Sequence, residues 1–168
     1  MTQSNNLSIE KDLENRLIKV TRYFSADSEF VWRAWTESQL LDQWWAPKPW
    51  KAETKKMDFT DAGQWLYAMV GPDGSKHWSR VDFKNIKSGK SFETVASFCD
   101  ENGVKNNEMP TLYWKIQFIP EGKGTIVIAE ISFTKQIDFE TIIQMGFEGG
   151  FTMGLNNLEE LIAHKQLS

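Results

Sequence analysis

The strongest constraint on the fold is a switch in hydrophobic period late in the chain. Across residues 51–133, short runs rich in β-branched and aromatic side chains follow one another, whereas beyond Asp138 the apolar residues recur every three or four. Strand-like runs separated by tight turns and closed by one helical pattern predict an antiparallel sheet with a helix packed on one face, an α+β domain. The runs cover 51–59, 63–70, 75–86, 91–99, 112–119 and 125–133, and a seventh, 16–24, precedes them. Pro72-Asp73-Gly74, Asn102-Gly103 and Glu121-Gly122-Lys123-Gly124 supply the positive-φ positions that tight reversals need, so neighbouring strands pair antiparallel.

Alternation assigns faces within two of these runs. Leu112, Trp114, Ile116 and Phe118 share one face and are expected inside, with Tyr113, Lys115 and Gln117 opposite. In 125–133 both faces are partly apolar, and the face bearing Glu130 is expected outward. Between the first and second runs two short helices are predicted. Asp27 and Glu29 suit the start of 27–35, and Thr36-Glu37-Ser38-Gln39 has the form of a capping box opening 36–45, which stops before Pro47.

The last pattern, Phe139, Ile143, Phe147, Phe151, Leu155, Leu158 and Ile162, predicts one long helix capped by Asp138. Gly146, Gly149, Gly150 and Gly154 lie within it, and each interior glycine costs about 1 kcal/mol relative to alanine. Either the helix kinks or packs closely at these positions, or Gly146, Gly150 and Gly154, spaced by four, clear a stripe that faces a cavity. Residues 1–15 are polar and read as a tail or lead-in, which leaves 16–168 as a single domain.

At 168 residues the chain can hold both a core and a pocket, and 40% hydrophobic with 25% charged residues indicates a globular protein. A net charge of -4 argues against nucleic acid as a partner. No apolar stretch is long enough to enter and span a bilayer, and the start lacks the apolar middle of a signal peptide, so the expected address is the cytoplasm. The lone Cys99 fits a reducing compartment and has no base beside it in sequence. His77 and His164 belong to no metal-ligand spacing, and neither a metal nor a cofactor is expected.

The segments Val31-Trp32-Arg33-Ala34-Trp35-Thr36, Leu40-Leu41-Asp42-Gln43-Trp44-Trp45-Ala46-Pro47, Gly71-Pro72-Asp73-Gly74 and Gly154-Leu155-Asn156-Asn157-Leu158 stand in this order. In them the chain resembles the family of homologues of the activator of the heat-shock protein 90 ATPase, within the START-like (SRPBCC), birch-pollen-allergen-like superfamily. The resemblance covers about 16–165 and departs from the family's form in Ala26-Asp27, where a proline often opens the first helix, and in a long 100–111 connection expected near a pocket mouth. It implies a helix-grip fold: a curved seven-stranded antiparallel sheet around a long C-terminal helix, with two short helices after the first strand.

Members of that superfamily bind lipids, hormones or polyketides, some are lyases or cyclases, and the namesakes stimulate a chaperone ATPase. The expected function is therefore binding of an apolar small molecule or lipid between sheet and helix by a monomer or homodimer. A chaperone-interacting role and a lyase or cyclase acting on a polyketide-like or aromatic substrate are the alternatives. Strand alternation and the helix face nominate Trp65, Tyr67, Trp78, Phe92, Trp114, Phe118, Phe147 and Phe151 as ligand-binding residues, beside the Gly146, Gly150 and Gly154 face. No catalytic residue is nominated. Trp44 and Trp45 are assigned to packing the short helices, and Arg80, Asp82 or Glu93 would signal acid-base chemistry only if turned inward.

Overall fold

The computed structural model describes residues 7–167. Eight strands form one antiparallel sheet in the order β1-β2-β8-β7-β6-β5-β4-β3. They are β1 Leu7–Asp12, β2 Leu17–Phe24, β3 Lys51–Met57, β4 Gln64–Val70, β5 Lys76–Lys87, β6 Ser91–Cys99, β7 Thr111–Glu121 and β8 Gly124–Ser132. Helices α1 Ser28–Thr36 and α2 Ser38–Trp44 lie between β2 and β3, and α3 Gln136–Gln144 and α4 Phe147–Leu167 close the chain. This is the helix-grip fold.

The sheet has eight strands rather than seven because the polar lead-in contributes β1. Leu7 to Asp12 pair with β2 residues Arg22 to Leu17, so the expected tail is in part an edge strand. Its sequence, LSIEKD, is mostly polar and only half buried, as befits an edge with one partner. Of the expected tail, residues 13–15 belong to the turn into β2, and residues 1–6 lie outside the described residues.

The inner face of the sheet is the one alternation predicted. Leu112, Trp114, Ile116 and Phe118 are buried, as are Val127, Ala129 and Ile131, while Glu130 points outward. On that outer face the register lines up Glu10, Lys19, Glu130, Lys115, Glu93 and Lys84 as successive partners across β1, β2, β8, β7, β6 and β5. Opposite charges thus alternate along the row, an arrangement that favours this register over a slipped one.

The short helices are anchored from below and above. Asp27 caps α1 by accepting the Phe30 N–H at 2.9 Å. The capping box expected at α2 is absent: Thr36 Oγ1 donates to the Trp32 carbonyl at 2.8 Å, and Glu37 is the N-cap but its carboxylate accepts from Arg33 and not from the α2 backbone. With only one residue between the helices, Thr36 is still the end of α1 and spends its hydroxyl there. Trp44 donates to the Ala34 carbonyl at 2.9 Å and pins α2 against α1.

The C-terminal pattern forms two helices, not one. Gly146 has φ +86°, a left-handed conformation that ends α3, and α4 starts at Phe147. Asp138 is consequently not a cap but lies in the first turn of α3, after Lys135. Further along, Asn157 Nδ2 donates to the carbonyls of Trp44 at 3.3 Å and Ala46 at 3.0 Å. It satisfies carbonyls left free at the end of α2. A Cβ at Gly154 would stand 3.1 Å from the Trp45 carbonyl oxygen, so this glycine permits the close approach of α4 to α2.

Candidate ligand cavity

A cavity of about 320 Å³ lies between β4–β7, the end of α2, and the α3–α4 junction. Its walls are mostly aromatic and aliphatic: Trp35, Trp45, Trp65, Phe83, Phe92, Trp114, Phe147 and Phe151 line it together with Val81, Leu112, Ile116 and Ile142. The rings meet largely edge to face, Trp114 against Phe151 at 5.3 Å and Trp45 against Trp65 at 5.6 Å. Such a wall holds its shape through many mutual contacts and has few polar atoms to offer water.

Polar side chains reach the lining from β6, as Thr94 and Ser97, and from β4–β5. Tyr67 and Ser79 are cross-strand partners, as are Met69 and His77 one step toward the strand ends. Trp45 Nε1 donates to the Tyr67 hydroxyl at 2.8 Å, and Ser79 also hydrogen-bonds the phenol. Burial pushes the Tyr67 phenol above its ordinary pKa, these hydrogen bonds opposing the shift, so it is neutral at physiological pH. Trp65 stacks on the Tyr67 ring at 4.1 Å and donates to Thr54, whose hydroxyl donates in turn to Asp42 at 2.6 Å. That chain ties β4, β3 and α2 together behind the cavity wall. His77 is exposed, with its ring 5.3 Å from Trp50.

Of the residues nominated from sequence, Trp65, Tyr67, Phe92, Trp114, Phe147 and Phe151 line the cavity, together with Gly146 and Gly150. Trp78 does not. His77, Ser79, Val81 and Phe83 take the cavity side of β5, which puts Trp78 on the outer face, with the Lys55 and Lys76 amines 5.7 and 5.9 Å from its ring. Phe118 faces inward but lies beyond the cavity, stacked on Phe92 and 5.1 Å from Trp32. Gly154 serves the α2–α4 contact rather than the cavity.

Trp45 and Trp35 are among the lining residues that sequence reading did not nominate. Trp45 was expected only to pack helices, yet it spans from Tyr67 to Trp114 and Phe151. Trp35, expected as part of a helix face, also reaches the cavity. The available signal was their spacing of four from Val31 and Leu41, which marks an inward face but does not separate core from cavity.

The charged candidates are all elsewhere. Arg80 and Asp82 pair with each other at 3.0 Å, and Arg80 donates to the Gly103 carbonyl. Glu93 belongs to the outer charge row. The 100–111 connection, expected at a pocket mouth, makes these bonds on the outer face, where Lys55 also donates to the Glu101 carbonyl at 2.8 Å. Burial raises the pKa of the Cys99 thiol, the opposite of what a nucleophile needs. Among the described residues, no group of three or more His, Cys, Asp or Glu side chains comes together as a metal site, and no helix is long and apolar enough to cross a membrane.

Residues 25–163 match the model of the Activator of Hsp90 ATPase homolog 1-like protein family. The chain belongs to this family. Among solved structures, it is similar to a protein from Arthrobacter aurescens with 26% identity, covering 94% of this chain and 91% of that one at a TM-score of 0.88. A protein from Staphylococcus epidermidis is likewise 26% identical, covering 94% of both chains at a TM-score of 0.82. Protein Ms6760 from Mycobacterium smegmatis, 22% identical, shares the fold at a TM-score of 0.85, covering 92% of this chain and 96% of that one. No curated protein matches the chain. The family match spans α1 to α4 and so includes every element that walls the cavity.

Proposed function

We propose that this protein binds an apolar small molecule or lipid in the cavity between its sheet and its C-terminal helices. The observation that carries this reading is the cavity itself: about 320 Å³, lined by nine Trp and Phe side chains besides Tyr67, in the size range of roughly 300–1,000 Å³ usual for small-molecule sites. Ordinary interiors have few voids larger than a water molecule, so a space of this size is an exception within the packed core. The fold alone does not select a ligand.

Binding is favoured over lyase or cyclase chemistry because the Arg80–Asp82 pair and Glu93 lie on the outer face, away from the cavity. A chaperone as partner rests on the family's description and on no contact residue in this chain. Gentle native mass spectrometry of freshly purified protein, compared with the denatured chain, tests the proposal. A discrete excess mass that releases an apolar compound supports it. A bare mass that stays bare after incubation with apolar extract from the source cells contradicts it.

A further inference from the structure

The chemistry of the lining narrows what this cavity accepts, provided that it is a ligand site as proposed above. Among the described residues, the lining holds no Asp, Glu, Lys or Arg; His77 is exposed, and Tyr67 is held neutral by burial. A charged group inside would therefore lose its hydration with no opposite charge to meet it, which is prohibitive for an unpaired ion. The bound molecule is uncharged where it is enclosed.

Counting hydrogens then indicates which polar group it carries. The Tyr67 and Ser79 hydroxyls, on cross-strand partners, have two protons between them, and a bond within the pair takes up at most one. Trp45 supplies its own proton to the phenol oxygen, so whichever hydroxyl donates within the pair, one O–H is uncommitted. Trp35 adds a second spare donor: it lines the cavity, is 3% exposed, and its buried Nε1 has no hydrogen-bond partner among the described residues. Ser97 also lines the cavity with a buried Oγ that has no partner among the described residues, and since all three groups can donate, a complementary ligand presents an acceptor.

Size sets the last limit. The cavity is about ten times the roughly 30 Å³ that one water occupies in the liquid, which suits a molecule of about ten to fifteen non-hydrogen atoms. Faced by Trp114, Phe147 and Phe151 across from the hydroxyls, a ring system gains edge and face contacts that a flexible chain does not. We infer that the cavity takes an uncharged, one- or two-ring molecule bearing a carbonyl-type acceptor that is met by the Tyr67–Ser79 hydroxyl pair.

Three matched probes test this by calorimetry or tryptophan quenching: tetralin, 1-tetralone and tetralin-1-carboxylate. The expected order is 1-tetralone tightest, by about three- to tenfold over tetralin for one added hydrogen bond, with the carboxylate at least tenfold weaker than tetralin at pH 7. The double replacement Tyr67→Phe with Ser79→Ala removes both O–H groups and should cut the tetralone advantage, read as the ratio of the two affinities in the same protein; an unchanged ratio overturns the role given to the pair. Tetralin binding as well as tetralone, or the carboxylate binding best, overturns the inference and leaves the apolar cavity standing. Failure of all three probes to bind overturns both.

Discussion

Trp45 Nε1 donates to the Tyr67 hydroxyl across 2.8 Å and so joins the end of α2 to the middle of β4 at the cavity wall. Both residues are large and mostly enclosed, and neither indole N–H nor phenol finds water easily there. Replacing Trp45 by Phe keeps a ring in the wall but leaves the phenol oxygen without this donor. A loss of about 1–2 kcal/mol in urea unfolding is expected, part hydrogen bond and part lost ring volume.

The same phenol makes stability depend on alkaline pH. Its pKa is raised in the folded state, mainly by burial, so the folded protein keeps the proton after the unfolded chain has released it. The Tyr67 contribution is fully present below about pH 10, the ordinary phenol value, and is lost as pH rises through the folded pKa. Urea midpoints measured from pH 8 to 11 should fall more steeply for the native sequence than for Tyr67→Phe. Parallel slopes would contradict the assignment.

Arg22 is 1% exposed beneath α4, and its Nη2 donates to Glu159 Oε1 at 2.9 Å. Its Nε and Nη1 have no hydrogen-bond partners among the described residues, so the buried guanidinium is incompletely satisfied. Glu159→Gln should cost about 2 kcal/mol, because it removes the countercharge while the buried cation stays. The double replacement Arg22→Met with Glu159→Leu should restore that loss or exceed it. Chemical unfolding of the three variants checks both statements.

The helix glycines have separate causes, and single alanine substitutions should separate them. At Gly149 a Cβ meets nothing within 4 Å, so Gly149→Ala should stabilise by up to about 1 kcal/mol through helix propensity. Gly154→Ala pushes a methyl to 3.1 Å from the Trp45 carbonyl oxygen, and Gly146→Ala places a side chain at φ +86°. Each of these should destabilise by about 1–2 kcal/mol. Thermal midpoints of the three proteins should split in opposite directions about the parent.

The outer charge row offers a test of register. Glu130 lies directly opposite both Lys19 and Lys115, so Glu130→Lys sets three like charges side by side. Destabilisation of about 1 kcal/mol at low salt is expected, and it should shrink as ionic strength rises and screens the repulsion.

Much of this architecture was legible in the chain because β7 alternates strictly and the strands are bounded by clear turns. β1 was not, since an edge strand with half-exposed Lys11 and Glu10 has the composition of a tail, and only pairing with β2 reveals it. The break at Gly146 was ambiguous because a glycine within a helical pattern fits a kink, close packing or a cavity, and Gly146, Gly154 and Gly150 turn out to represent one of each. Trp78 was misplaced for a simpler reason. With period two, the choice of which face of β5 looks inward inverts every side chain, and Trp78 is as apolar as Val81 and Phe83. The cavity-facing roles of Trp35 and Trp45 depend on how two helices meet a curved sheet, a relation that no local pattern encodes.

Filling the cavity tests the central claim most directly. Gly150 lines it, and a Cβ there comes no closer than 3.9 Å to the Pro47 ring, so a side chain added at this position projects into space that a ligand would need. Titrating tetralin into the native protein and Gly150→Leu by tryptophan quenching should give saturable one-to-one binding to the first. The variant should bind at least tenfold more weakly, with an unfolding midpoint equal to or above that of the parent. Equal binding by a folded variant, or no binding by the native protein, would contradict the account.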